Sequence, residues 1–196
     1  MDAGLAAVLG AAVGAIGASA TALITGALGR SQTRLQLRAE DYRIVDEHRR
    51  SSYRNFFECT EITRAHLGDA RSNLSTMFDD EAPVSGDDMA VADILLERAA
   101  AATKAAEAKF PEIHSLHAAV AIQGPNSAQT AAADLVDALR RQLEHTKRWT
   151  VSVQDCWNGW DVYEERATAA HDLATARSLD FSRVVSIALQ LDRRPR

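Results

Sequence analysis

The chain has 196 residues, room for one compact domain plus an appendage. Its net charge of −5 and pI near 5.7 exclude the bulk basic field that nucleic-acid binders use. Its two cysteines, Cys59 and Cys156, lie far apart without a Cys-x-x-Cys, which argues against a disulfide scaffold or zinc ribbon and for two reduced thiols.

The first element is apolar. Residues 3–29 carry no charge, and as a helix they would extend about 40 Å, enough to cross a hydrocarbon core of about 30 Å with some tilt. A signal peptide would need a basic stretch before the apolar run, where only Asp2 stands, although Ala18-Ser19-Ala20 has the small residues of a cleavage site. A soluble core helix is the third reading, disfavoured by the length of the run. We therefore expect a membrane span at 1–29. Ala6, Gly10, Gly14, Ala18, Ala22 and Gly26 recur every four residues, a small-residue face on which two helices can approach closely in lipid. Gly10 and Gly14 are the expected packing positions of a homo-oligomer.

Arg30, Arg34 and Arg38 follow without an intervening acid, in a basic juxtamembrane extension at 30–41. The positive-inside rule then puts the N-terminus outside the cell membrane and the rest of this single-pass chain in the cytoplasm.

Four helices of nearly equal length are predicted next, at 42–78, 89–122, 126–157 and 160–192, with a basic tail at 193–196. The first shows an apolar seam at Tyr53, Phe56, Thr60, Thr63, Leu67, Ala70, Leu74 and Met77, in steps alternating three and four. "DDEAPVSGDD" (79–88) breaks it with Pro83 and Gly86. The second is rich in alanine, and Pro111 should kink or split it. "QGPNS" (123–127) ends it. The third repeats the alternation at Ala128, Ala132, Leu135, Leu139, Gln142, Thr146, Trp149, Val153 and Cys156. The fourth does so at Trp160, Tyr163, Ala167, Ala170, Ala174, Arg177, Phe181, Val184, Ala188 and Leu191. Equal lengths and short connections imply an all-α, up-down-up-down antiparallel four-helix bundle, of coiled-coil character, behind the transmembrane helix.

That topology brings two basic groups to the membrane end. Arg30, Arg34 and Arg38 leave the span there, and Arg193 and Arg194 return to it, each contributing about 1 kcal/mol of attraction to anionic inner-leaflet lipid. Trp149, Trp157 and Trp160 gather at the far turn, as core plugs or as a patch for a protein partner.

Chemistry is sparse. A di-iron bundle needs Glu-x-x-His pairs, and none occurs; HExxH, Walker A, GxSxG and GxGxxG are also missing. His66, His145 and His171 share one layer of the bundle but flank the seams, so solvent-facing or capping histidines are expected rather than a zinc site. Arg177 sits within a seam and needs a carboxylate, for which Glu58, Glu61 or Glu107 are at the right level. No cofactor, metal or catalytic residue is expected.

Arg49, Arg50, Tyr53 and Phe56 in "RRSSYRNFF", with Ile122, Gly124 and Pro125 in "AVAIQGPNSAQTAAADL", give a pattern that resembles a loose group of uncharacterised actinobacterial proteins. In that group a Gly/Ala-rich N-terminal span precedes a basic helix and a helical bundle. The resemblance implies an architecture and no activity. Together these readings point to a membrane-anchored cytoplasmic interaction or scaffold protein, non-enzymatic, with an unidentified protein partner. The alternative is a membrane-active pore or effector assembled through the small-residue helix.

Overall fold

A computed structural model describes the backbone of residues 2–78, 88–155 and 160–191, and the side chains of 32–33, 36–78, 90–155 and 161–190. Every regular element in it is helical: α1 (Asp2–Thr76), α2 (Asp88–Gln123), α3 (Asn126–Gln154) and α4 (Trp160–Leu191). By internal packing the chain divides into two units, Met1–Glu47 and His48–Arg196. In the first, Leu37, Tyr42, Ile44 and Val45 are exposed, as is Arg38. Among the described residues no helix is long and apolar enough to cross a membrane. The expected span lies outside the described side chains, as do those of Gly10, Gly14, Arg30 and Arg34; Arg193 and Arg194 lie outside the described residues altogether.

The second unit is an antiparallel four-helix bundle. Its neighbours are read from side-chain pairs. Along α1, Glu61, Arg64, Gly68, Arg71 and Ser75 meet Ser178, Thr175, His171, Thr168 and Glu164 of α4. Each step forward of three or four on α1 matches the same step backward on α4. Lys147 pairs with Glu107 and Arg140 with His114, which sets α3 antiparallel to α2. Asp134 pairs with Arg177 and Gln142 with His171 between α3 and α4. Ser52 meets Gln123 and Phe56 packs near His117 between α1 and α2.

The inward positions are those of the heptad steps. Tyr53, Phe56, Thr60, Thr63, Leu67, Ala70 and Leu74 are all buried on α1, and Ala128, Ala132, Leu135, Leu139, Gln142, Thr146 and Trp149 on α3. Three buried threonines satisfy their hydroxyls within their own helices: Thr63 donates to the carbonyl of Cys59 at 2.9 Å, Thr103 to Ala99 at 2.7 Å and Thr150 to Thr146 at 2.9 Å. The apolar core forms two clusters. The larger is built on Tyr53, Phe56, Leu67, Ile113, Leu139 and Phe181, with Phe56 and Phe181 edge-to-face at 5.0 Å. The smaller packs Leu74, Ala99, Trp149 and Ala167.

The link between α2 and α3 is tight. The Gly124 amide donates to the Val120 carbonyl at 2.8 Å, and the Pro125 carbonyl accepts from Ala128 and Gln129 at 2.9 and 3.1 Å to start α3. A Cβ on Gly124 would stand 2.8 Å from both Tyr53 Oη and the Val120 carbonyl oxygen, so only glycine fits there. Arg49 closes over the link, donating from Nε to the Gln123 carbonyl at 2.8 Å, and Ser52 donates to the Gln123 side chain at 2.9 Å. The two short stretches around Tyr53 and Gly124 therefore form a single clasp.

One expectation is narrowed and one corrected. Of the kink or split expected at Pro111, the split does not occur: α2 runs unbroken from Asp88 to Gln123 with the proline inside it and exposed. Arg177 is not a buried seam charge. Its side chain is 42% exposed, and it lies 3.5 Å from Asp134 and 3.7 Å from Asp180, not from Glu58, Glu61 or Glu107. A long guanidinium at a small-residue helix edge reaches water, which removes the need to bury its charge.

Candidate functional site: a polar seam between α1 and α4

Four of the five α1/α4 pairs are hydrogen bonds between polar side chains, an unusual way to join two helices that also share an apolar core. Ser178 Oγ donates to Glu61 Oε1 at 2.6 Å and Ser75 Oγ to Glu164 Oε1 at 2.7 Å. Arg64 and Arg71 each reach a threonine of α4, Thr175 and Thr168, at 3.4 Å. Arg64 also pairs with Glu61. Burial works against the charge of Glu61, but the hydrogen bonds from Arg64 and Ser178 outweigh it and hold the carboxyl below its ordinary pKa.

His171 occupies the middle of this seam. The absent Cβ of Gly68 would lie 3.7 Å from its Cε1, so the imidazole sits beside a helix position that has no side chain. On its other side Gln142 Nε2 is 3.0 Å from Nδ1. With the amide in this orientation its N–H donates there, and the Nδ1 that accepts carries the lone pair of a neutral ring. Burial, Arg71 and Arg64, in that order, push the pKa of His171 below the ordinary histidine value, against a weaker pull from Asp172. Of the three histidines expected to face solvent or cap, His171 is half-buried, because α4 turns it toward the fully buried Gln142. Burial followed by Arg148 and Arg166 also lowers the pKa of His145.

Beneath the seam, α3 presents an unusual inner face. Gln142 Oε1, Thr146 Oγ1, Trp149 Nε1 and Ser152 Oγ are buried with no hydrogen-bond partner, on successive turns. They run from the edge of the larger apolar cluster into the smaller one. Trp149 is fully buried against Leu74, Ala99 and Ala167, so it plugs the core and is not open to a partner. Trp157 and the side chain of Trp160 lie outside the described residues.

Two open hollows lie elsewhere among the described residues. An open notch of about 420 Å³ is lined by Lys147, Arg148, Val151, Ser152, Asp155 and Tyr163. A second hollow of about 450 Å³ lies between α3 and α4, where Asp134 and Asp180 flank Arg177. Among the described residues no group of three or more His, Cys, Asp or Glu is placed to hold a metal ion. Burial, then the charge of Glu112, pushes the Cys59 thiol up, which keeps it protonated and a weak nucleophile.

The seam pairing escaped the heptad reading because that reading follows apolar positions. Its signal was present in the flank: Glu61, Arg64, Gly68, Arg71 and Ser75 keep the same alternating steps with no apolar residue among them. The Gln142–His171 pair had no such signal, since partners on different helices are set by register. Compared with known proteins, the chain matches no family model, no curated protein and no solved structure.

Proposed function

We propose that this chain is a membrane-anchored helical-bundle interaction or scaffold protein. The observation that carries the reading is the composition of α1. Its first residues, 3–29, are uncharged with a small-residue face, and the same helix element supplies the first helix of a compact bundle. The apolar part would hold the protein in the cell membrane with its N-terminus outside. Arg30, Arg34 and Arg38, with Arg193 and Arg194, would meet the inner leaflet. Gly10 and Gly14 would pair copies of the span. The bundle would then stand in the cytoplasm as a binding module, a reading supported by its packed apolar core.

Membrane fractionation with an alkaline wash tests the anchor: the protein should stay in the pellet, and release into the supernatant would sink the reading. Replacing Gly10 and Gly14 together by leucine should abolish oligomers in detergent while leaving the protein in the pellet.

The small-residue face also suits a pore, with Ser19, Thr21 and Thr25 as its only polar groups. That alternative predicts ion leakage from vesicles carrying the protein, and the scaffold reading predicts none. Capture of a partner by the full chain would then identify what the scaffold serves.

A further inference from the structure

The α1/α4 seam closes around a neutral histidine that has cations on both sides. From α1, Arg64 and Arg71 flank His171, one turn to either side of Gly68, with Glu61 engaged by Arg64 and Ser178. From α3 it meets the uncharged Gln142, while His145 on that helix answers to Arg148, Arg166 and Glu144 instead. On α4 itself Asp172 pulls the other way and ranks below both arginines. The remaining seam contacts are hydroxyls and, two turns away on α4, the Glu164 carboxylate, which Ser75 engages.

We propose that His171 is a proton-operated latch on the α1/α4 seam. Neutral, it accepts from the buried Gln142 and fills the space beside Gly68, holding α4 to α1. Protonated, it sets an N–H against the Gln142 amide and a third cation between Arg64 and Arg71. Rotating the amide would bring Oε1, which has no partner beside the neutral ring, to that proton and would leave the NH2 buried without one in its place. Acid therefore loosens α4 from α1 while the remaining apolar contacts keep the helices assembled. The device makes the bundle responsive to local pH, whether or not the chain is anchored in a membrane.

The direction follows from linkage. A histidine whose folded pKa lies below its unfolded value of about 6.5 binds its proton more readily in the opened form. Seam stability is complete above about pH 6.5 and falls as pH drops toward the lowered folded value. Across that window each pH unit multiplies the opened fraction by up to about ten.

The test uses the full chain in detergent. NMR titration of the imidazole should place His171 below the ordinary histidine pKa. Amide exchange, corrected for its intrinsic pH dependence, should show residues 164–178 opening several-fold more at pH 5.5 than at pH 7.5. His171→Gln should remove most of that rise. Arg71→Gln should raise the His171 pKa and shrink the rise, and His145→Gln should leave it in place. The proposal is overturned if His171 titrates at or above the ordinary value, if His171→Gln keeps the full rise, or if His145→Gln abolishes it.

Discussion

Two glycines within the bundle sit in opposite surroundings, and the difference decides what alanine would do at each. At Gly124 a methyl group would press at 2.8 Å on a backbone carbonyl and on Tyr53 Oη. The carbonyl cannot withdraw without breaking the start of the turn. Gly124→Ala should cost about 1–3 kcal/mol in urea denaturation. At Gly68 the nearest atom is His171 Cε1 at 3.7 Å, an ordinary contact distance. Gly68→Ala should therefore raise stability by about 0.5–1 kcal/mol, the helix-propensity gain. Glu61 gives a pH test at the same scale. Its folded pKa is lowered, so its contribution is present above the ordinary carboxyl range and is lost as pH falls through the folded value. Glu61→Gln should lower the urea midpoint at pH 7 and flatten its decline between pH 5 and 3.

At the scale of helices, the seams were legible because burial in a bundle is periodic and the apolar steps record it. Tyr53, Phe56, Leu67 and Leu74 needed only a count of three and four. Arg177 and His171 were less legible for one reason. Both lie where a seam grades into a flank, and there the outcome depends on side-chain length and on the partner helix's register, which no single helix carries. Pro111 allowed a kink or a split, and the helix is not split: proline lacks one N–H and crowds the preceding turn, yet an exposed proline can be carried if both sides of the helix are packed. Ile113 and Ala106 are fully buried on either side of it. Pro111→Ala should raise the thermal midpoint, with a gain of at most about 3 kcal/mol. A lowered midpoint would mean that the helix needs the proline's geometry.

For the whole molecule, every buried residue of both core clusters lies at or beyond Tyr53, inside the unit His48–Arg196. A chain beginning at His48 should keep a helical circular-dichroism spectrum and melt cooperatively, within a few degrees of the full chain. A broad, low melt would show that the first unit contributes to the bundle's stability. The proposed membrane anchor is drawn from the sequence of residues 3–29 alone, whereas the bundle stands in both sequence and structure.

The clasp at Gly124 and Pro125 also orders events in time. Closing a chain loop costs entropy that grows with its length, so helices joined by the shortest link meet first. Two residues separate α2 from α3, whereas α1 and α4 are the most distant in sequence and meet largely through hydroxyls and charges. The α2/α3 hairpin should form the folding nucleus, with the polar seam closing on the native side of the barrier. In stopped-flow measurements Gly124→Ala should then slow folding, while Ser178→Ala should leave the folding rate alone and speed unfolding. A seam that closes last also opens first, and the α1/α4 edge is where this bundle would begin to exchange its own helices for those of another copy.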